Sequence, residues 1–331
     1  MEAEMNVCAI CKNKNGNKTY VVKEMMFGFR DEFEYFECAE CGCIQIKEIP
    51  EALSKYYPDN FYSFQEITSD SKVNSIESFL KRQRMKYLIY GNKEIGILLS
   101  KILIKIYKTP MADYYEWFRK LQLPLESEIL DVGCGSGNLL LQMRSDGFTN
   151  LTGVDPFIKS DIFYENGVKV LKKYLHEIEG SFDFIMLNHA FEHMPQPLSV
   201  LKELYRIVNK NRYVLIRIPV ASSFAWRKYG VNWVQIDAPR HFFLHTTKSM
   251  EILANKAGFK IADIVFDSHA FQFWGSEQIL GNIAITESAS YAVNPDKSMF
   301  SKEQIDDFNS MAKQLNKEKD GDAAGFYLYK A

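Results

Sequence analysis

The chain has 331 residues, 47% apolar and 25% charged, with a formal net charge of −2. That length holds one large domain and a small one, the ordinary composition excludes a disordered chain, and the near-neutral charge leaves no global field to draw it to nucleic acid. No run of about 18 apolar residues occurs, so no membrane span is expected, and Met1-Glu2-Ala3-Glu4-Met5-Asn6 lacks the basic and apolar parts of a signal peptide, which makes the cytoplasm the default location.

Five of the six cysteines fall in the first 43 residues. Cys8-x-x-Cys11 and Cys38-x-x-Cys41 are two knuckles whose four thiolates can converge on one tetrahedral cation. Thr19–Val22 and Phe33–Phe36 between them read as the strands of a zinc ribbon. Cys43 is a spare or an alternative ligand. Four thiolates leave no open coordination position, so a zinc ion here would be structural. The domain expected over 1–50 is therefore zinc-ribbon-like. Tyr56-Tyr57-Pro58 and Phe61-Tyr62 follow, an aromatic cluster suited to lining a groove or sealing the small domain onto the large one.

Residues 75–109 read as two helices broken at Gly91-Asn92, with Leu80, Met85, Leu88, Leu98 and Ile102 among the apolar positions and Lys81, Arg84, Lys101 and Lys105 among the basic ones. Such a pair could rest peripherally on an anionic membrane, or serve as a lid or connector with solvated lysines; the second is favoured. The connector is placed at 51–112 and a large domain at 113–331.

Ile129-Leu130-Asp131-Val132-Gly133-Cys134-Gly135-Ser136-Gly137-Asn138 reads as a buried strand, a glycine turn and a helix start. Glycines let a backbone turn sharply and let a ligand approach with no Cβ in the way. A second acid, Asp155, closes the next strand, Leu151–Val154, where it can accept hydrogen bonds from ribose hydroxyls. A dinucleotide fingerprint needs a third glycine at the position held by Asn138. An acid two residues before the first glycine suits a cationic, phosphate-free ligand better than a pyrophosphate. From about Tyr114 to Ala331 the chain resembles class I S-adenosylmethionine (SAM) methyltransferases. The resemblance implies an α/β, Rossmann-like, seven-stranded methyltransferase sheet and a cofactor-binding set of Asp131, Gly133, Cys134, Gly135, Asp155, Pro156, Asn188 and His189.

The alternation continues with strands over 167–171, 182–188, 212–219 and 260–267, and helices near 198–208 and 247–257, the latter stopped by Gly258. Residues 325–330 make a last strand. By the same resemblance it is antiparallel and inserts between the fifth and sixth strands, which makes 268–320 an insertion.

Ligands of such sheets sit beyond the carboxyl ends of the strands. His189-Ala190-Phe191-Glu192-His193 follows the fourth strand and matches a zinc-protease pattern, H-x-x-E-H. A protease is rejected, because that motif needs one long helix and this run meets Pro195 and Pro197. Some small-molecule O-methyltransferases place a divalent metal here with a Glu-x-x-Glu-His run; His189 replaces the first glutamate, which leaves metal binding a minor reading. Otherwise Glu192 and His193 cap the next helix and brace the cofactor loop. Trp233–His245 should hang over the transferable methyl. Imidazole has the intrinsic pKa to take a hydroxyl proton near neutrality, so His241 is the first candidate general base and His193 the second. His241 otherwise binds substrate or orders its loop. Ser268–Gln278 interleaves aromatics with Gln, Ser and Glu, which suits a sugar ring or a capping hydrophobic plug equally.

The four cysteines, the Tyr-rich connector, the glycine turn and the Trp274-Gly275-Ser276-Glu277-Gln278 run together resemble bacterial methyltransferases of polysaccharide and deoxysugar pathways. Sugar C-methyltransferases of that kind carry a longer C-terminal domain, which leaves O-methylation of a sugar, glycan or related small metabolite as the implied activity. Two alternatives stand beside it. One is an RNA methyltransferase gripping RNA with the zinc ribbon, against which the charge and the absence of an Asn-Pro-Pro-aromatic run both argue. The other is a non-catalytic SAM-fold module.

Overall fold

The computed structural model describes residues 6–57 and 75–331. By contacts the chain forms two units: 1–59 with 187–331, and 60–186. The sequence division at 50 and 112 does not contain this grouping across the chain. Pro58, Phe61 and Tyr62 of the aromatic cluster lie outside the described residues.

The chain opens with β1 (Lys18–Lys23) and β2 (Glu32–Glu37), an antiparallel pair, and β2 pairs antiparallel with β3 (Ile44–Ile46). Alternation sets the faces: Val21 is exposed while Val22 and Tyr35 are buried. The β1–β2 connection wraps a buried acid. Glu24 Oε1 accepts from the N–H groups of Met26 (2.9 Å) and Phe27 (2.7 Å), and Oε2 from Phe29 (2.8 Å).

The unit 60–186 begins its described part with α1 (Ser75–Ile89) and α2 (Lys93–Tyr107). Asn92 caps α2, its side-chain oxygen accepting from the Glu94 N–H at 2.8 Å. Three further elements are α3 (Tyr115–Leu121), β4 (Glu128–Val132) and α4 (Asn138–Ser145). Then come β5 (Asn150–Val154), β6 (Ile162–Phe163), β7 (Lys169–Leu171) and β8 (Phe182–Asn188), whose last two residues pass into the other unit. The order here is β8-β4-β5-β7-β6, parallel except for β6. The short β6 is an eighth strand where seven were expected.

The basic residues of α1 are not all solvated. Arg84, 1% exposed, pairs with Asp146 at 2.5 Å, and Tyr114 donates to the other Asp146 oxygen at 2.5 Å. Lys81 is buried between Glu77 (2.8 Å) and Ser145 (2.9 Å). This anchoring makes α1 a fixed part of its unit. On α2, Leu98, Ile102 and Ile106 are exposed beside Lys101 and Lys105. No helix among the described residues is long and apolar enough to cross a membrane.

The rest of the first unit runs α5 (Pro197–Ile207), β9 (Val208–Pro219), α6 (Phe224–Tyr229), β10 (Phe243–Leu244), α7 (Thr247–Ala257), β11 (Lys260–Phe266), α8 (Phe271–Leu280), α9 (Lys302–Glu318) and β12 (Ala323–Lys330). As the resemblance implied, β12 is antiparallel to both β9 and β11 and lies between them. The fold is α/β and Rossmann-like with a mixed sheet. One pairing was not expected: β10 adds to β3, so the cysteine-bearing sheet takes its fourth strand from about 200 residues further along the chain.

Candidate functional site

Three polar centres stand out. The first is the turn from β4 to α4. Gly133, Gly135 and Gly137 all have positive φ (76°, 55° and 88°), which a side chain would strain. Asp131 is 4% exposed; burial, helped by the charge of Asp155, pushes its carboxyl up to about 8. Such an acid is ionised most readily when a cation comes to it. Asp155 Oδ2 accepts from Gly135 N–H and Oδ1 from Phe157 N–H, both at 2.9 Å, and burial raises its pKa. It therefore shapes the turn itself. Each oxygen still has a lone pair for a ribose hydroxyl. A Cβ at Gly153 would stand 2.4 Å from Cys134 Sγ, so the Cys134 side chain packs on β5 and leaves its backbone to the turn. Half-buried Pro156 follows Asp155, and Phe157 is 74% exposed, an apolar face the sequence reading passed over. A turn with glycine at every second position, an unneutralised acid and a second acid with spare lone pairs fit a cationic nucleoside such as SAM.

The second centre is the cysteine cluster. Cys8, Cys11, Cys38 and Cys41 offer sulfur atoms all within 4.8 Å of one another. Cys8 and Cys41 are 3.6 Å apart, Cys11 and Cys38 3.4 Å. Zinc–thiolate bonds of about 2.3 Å in a tetrahedron put sulfurs about 3.8 Å apart, so the set fits zinc. All six cysteines are free. The hydrogen bond with Cys41 lowers the Cys8 thiol to about 4, and Gln45 Nε2 donates to Cys8 Sγ at 3.0 Å, a donor that suits a thiolate. Cys43 is not in the cluster; it is a buried thiol that desolvation keeps protonated. Thr246 Oγ1, at the start of α7, donates to Cys41 O at 2.6 Å and ties the knuckle to the fold.

The third centre lies in the same unit, between the turn Phe191–His193 and the loop before β10. Glu192 is fully buried. His193 Nδ1 donates to Arg240 O at 2.8 Å, with Tyr57 OH 3.3 Å away, and His241 Nδ1 donates to Gln235 O at 2.7 Å. A carbonyl only accepts, so each Nδ1 carries the proton and each Nε2 keeps its lone pair. Arg240, 1% exposed, pairs with Asp237 and donates to Tyr56 O at 3.2 Å. Tyr35 OH, from β2, donates to His241 O at 2.9 Å. The cysteine-bearing sheet therefore supports the histidine loop directly.

Burial disfavours the Glu192 charge, but His189, His193 and His241 outweigh it and bring the carboxyl to about 2. Desolvation and the neighbouring His193 push His241 down to about 4. Burial thus favours the uncharged imidazole at His241 and works against its intrinsic basicity. His189 has φ 51° and an exposed side chain, with Nδ1 3.5 Å from Glu192 Oε1. Asn188 Oδ1 accepts from Arg217 at 3.3 Å while its buried Nδ2 has no partner among the described residues. Sequence reasoning singled out His193 and His241 but gave no role to the local Asp237–Arg240 pair, nor to Tyr35 and the Arg240–Tyr56 bond, which join residues far apart in sequence.

The run Ser268–Gln278 is an internal plug. Gln278 bonds Ser290 Oγ (3.0 Å) and Tyr291 N–H (2.7 Å), Ser276 Oγ accepts from Val234 N–H (3.0 Å), and Glu277 accepts from Tyr229 OH (2.8 Å). The polar side chains of Ser276, Glu277 and Gln278 are thus spent on the protein, while Gln272 Oε1 is buried with no hydrogen-bond partner among the described residues.

Residues 106–264 match a family model described as a methyltransferase domain. A tRNA U34 carboxymethyltransferase of Aliarcobacter butzleri is 28% identical over 151 residues, 41% of this chain and 48% of that protein. A ubiquinone biosynthesis O-methyltransferase of Pseudomonas aeruginosa is 30% identical over 157 residues, 42% of this chain and 66% of that protein. The chain thus spans about half to two thirds of the length of these relatives. Among solved structures, a SAM-dependent methyltransferase from Thermotoga maritima, a possible histamine N-methyltransferase, is 18% identical with a TM-score of 0.39, over 70% of this chain and 99% of that one.

Proposed function

We propose that this chain, whose residues 106–264 are a methyltransferase domain, moves a methyl group from SAM to a hydroxyl of a small metabolite, sugar or glycan. The observation that carries the reading is the β4–α4 turn, with three positive-φ glycines between the buried acids Asp131 and Asp155. SAM supplies an electrophilic methyl on a sulfonium. Asp131 faces the positive charge of the cofactor and Asp155 accepts from its ribose. The backbone of Gly133, Cys134 and Gly135 lets it lie close, with Pro156, Asn188 and His189 completing the set.

In-line transfer breaks the sulfur–methyl bond, forms an oxygen–methyl bond and releases the hydroxyl proton. The Nε2 atoms of His241 and His193 are lone pairs able to take that proton. The low basicity of His241 favours an acidic hydroxyl, or one polarised by its surroundings. The four thiolates hold a structural zinc in this reading.

The likeness to an O-methyltransferase of a small molecule supports a hydroxyl acceptor. The likeness to a tRNA carboxymethyltransferase keeps RNA among the acceptors to try, although the net charge of −2 argues against it. The test is a calorimetric titration with SAM, followed by incubation with radiolabelled SAM and separate pools of nucleotide sugars, lipid-linked glycans, phenolic metabolites and RNA. Binding heat and label in a hydroxyl-bearing small molecule or glycan are expected. No heat and no thermal shift would leave a scaffold; label in RNA alone would overturn the acceptor class.

A further inference from the structure

We propose that Glu192, His193 and His241 form a second metal site, separate from the cysteine cluster, that takes one divalent first-row transition ion. One donor atom from each lies within 4.8 Å of the others. Three observations point to a cation.

The first is the carboxylate. Glu192 is 0% exposed, and among the described residues neither of its oxygens has a hydrogen-bond partner. A buried acceptor left empty is costly, and native structures fill nearly all of them. His189 Nδ1, at 3.5 Å, is too far for a good bond. Arg240 pairs with Asp237 and spends its remaining reach on Tyr56 O, while Asp237 Oδ2 also stands 3.7 Å from His241 Nε2, too far for a hydrogen bond.

The second is the tautomer of both imidazoles. Nδ1 of His193 and of His241 is committed to a backbone carbonyl, which orients each ring and leaves Nε2 as the free donor. An imidazole fixed through one nitrogen by a carbonyl, with the other nitrogen bare, is the usual setting of a metal-ligating histidine. The rings stand 4.7 Å apart at 70°, and His241 Nε2 is 4.0 Å from Glu192 Oε1. Donors on a tetrahedral ion sit about 3.4 Å apart, so the set closes by roughly an ångström on loading.

The third is support. The loop that carries His241 is pinned by Tyr35 and by the Asp237–Arg240 pair, and Phe242 N–H donates to Glu192 O at 2.9 Å. The two segments, 50 residues apart, are thereby locked face to face.

Two nitrogens and one oxygen select Zn2+, Fe2+ or Co2+ over Mg2+ and Ca2+, and three protein ligands leave a position open. The ion itself rests on this geometry alone. Only its use, lowering the pKa of an acceptor hydroxyl at the open position in place of proton uptake by the two Nε2 atoms it would occupy, rests on the methyl-transfer reading.

The experiment uses protein whose cysteine cluster is first loaded with zinc and which is then titrated with Co2+. Visible d–d bands from nitrogen and oxygen ligands, saturating at one ion per chain without thiolate charge-transfer bands, are expected. Glu192→Gln and His241→Gln should each weaken cobalt binding by about a hundredfold or more. SAM calorimetry on the same samples reports folding and the cofactor turn separately. Wild-type protein that gives no visible bands overturns the site whatever the variants do, as does a folded Glu192→Gln protein that binds cobalt like the wild type. Neither result bears on whether SAM binds.

Discussion

Asp155 and Glu192 are two buried carboxylates with opposite surroundings. Each oxygen of Asp155 takes a backbone N–H, from Gly135 and Phe157, and the acid holds a turn in shape. Among the described residues Glu192 takes none, and three imidazoles surround it. A third acid, Asp146, is closed by Arg84 and Tyr114 and anchors a helix. The contrast teaches how to read a buried acid. One filled by backbone is part of the scaffold, one filled by a buried cation and a hydroxyl is an anchor, and one left empty among imidazoles is placed to share a cation with them.

The largest test removes what supports the empty acid. Cys38→Ser, or chelation of a bound zinc, should cost up to about 10 kcal/mol of metal-linked folding energy. Thermal melting with a zinc count checks this. If the cysteine sheet melts while cobalt binding at Glu192 survives, the sheet does not hold the histidine loop.

Next comes the anchoring acid. Asp146→Asn should destabilise the protein by about 3 kcal/mol, because it leaves the Arg84 charge buried and unpaired. Urea unfolding measures it; a loss near zero would place Asp146 with surface acids. Asp155→Ala should then weaken SAM about a hundredfold, since the turn loses its brace and the ribose loses a charged acceptor. Calorimetry decides, and unchanged affinity would reduce Asp155 to scaffold alone.

A finer test is the sign of the pH dependence. Asp131 has its folded pKa raised from 3.8 to about 8, so the folded state holds the extra proton between those values. Its contribution to stability is full below pH 3.8 and is lost as pH rises towards 8. SAM affinity should rise over the same upper range, and Asp131→Asn should flatten both trends. Glu192 is lowered from 4.5 to about 2, so its contribution is full above pH 4.5 and is lost as pH falls through 2. Difference curves of wild type against Asp131→Asn and against Glu192→Gln should therefore slope in opposite directions. Slopes of one sign would erase the distinction between the two acids.

The smallest effect is expected at Trp233→Phe. Its indole N–H donates to buried Asp322 at 2.9 Å, and burial already pushes Asp322 up to about 6. Losing that donor should cost about 1–2 kcal/mol in urea unfolding and raise the Asp322 pKa further.

Much of the first two centres was legible beforehand because their parts are close in sequence. Asp131, the three glycines and Asp155 lie on one strand–turn–helix–strand run, and hydrophobic strands with Gly at fixed offsets show themselves without tertiary information. The cysteine knuckles are likewise a spacing. The helices at 75–89, 93–107 and 247–257 also stood where the pattern put them, and the antiparallel last strand where the family resemblance put it. Ser268–Gln278 was less legible, since aromatics mixed with Gln and Ser look the same in a groove or a core. Only its hydrogen bonds to Val234, Ser290 and Tyr291 decide for the core.

By itself the sequence determined the alternation of strand and helix, the glycine turn with its two acids and the four-thiol set, because each depends on backbone conformation or ligand chemistry over short separations. The tertiary structure alone decided that β10 completes the cysteine-bearing sheet, that Tyr35 and Arg240 pin the loop of His241, and that Glu192 is buried with neither oxygen hydrogen-bonded among the described residues. Those outcomes turn on which distant surfaces pack together. Whether a buried charge finds a partner is settled by that packing, not by its neighbours along the chain.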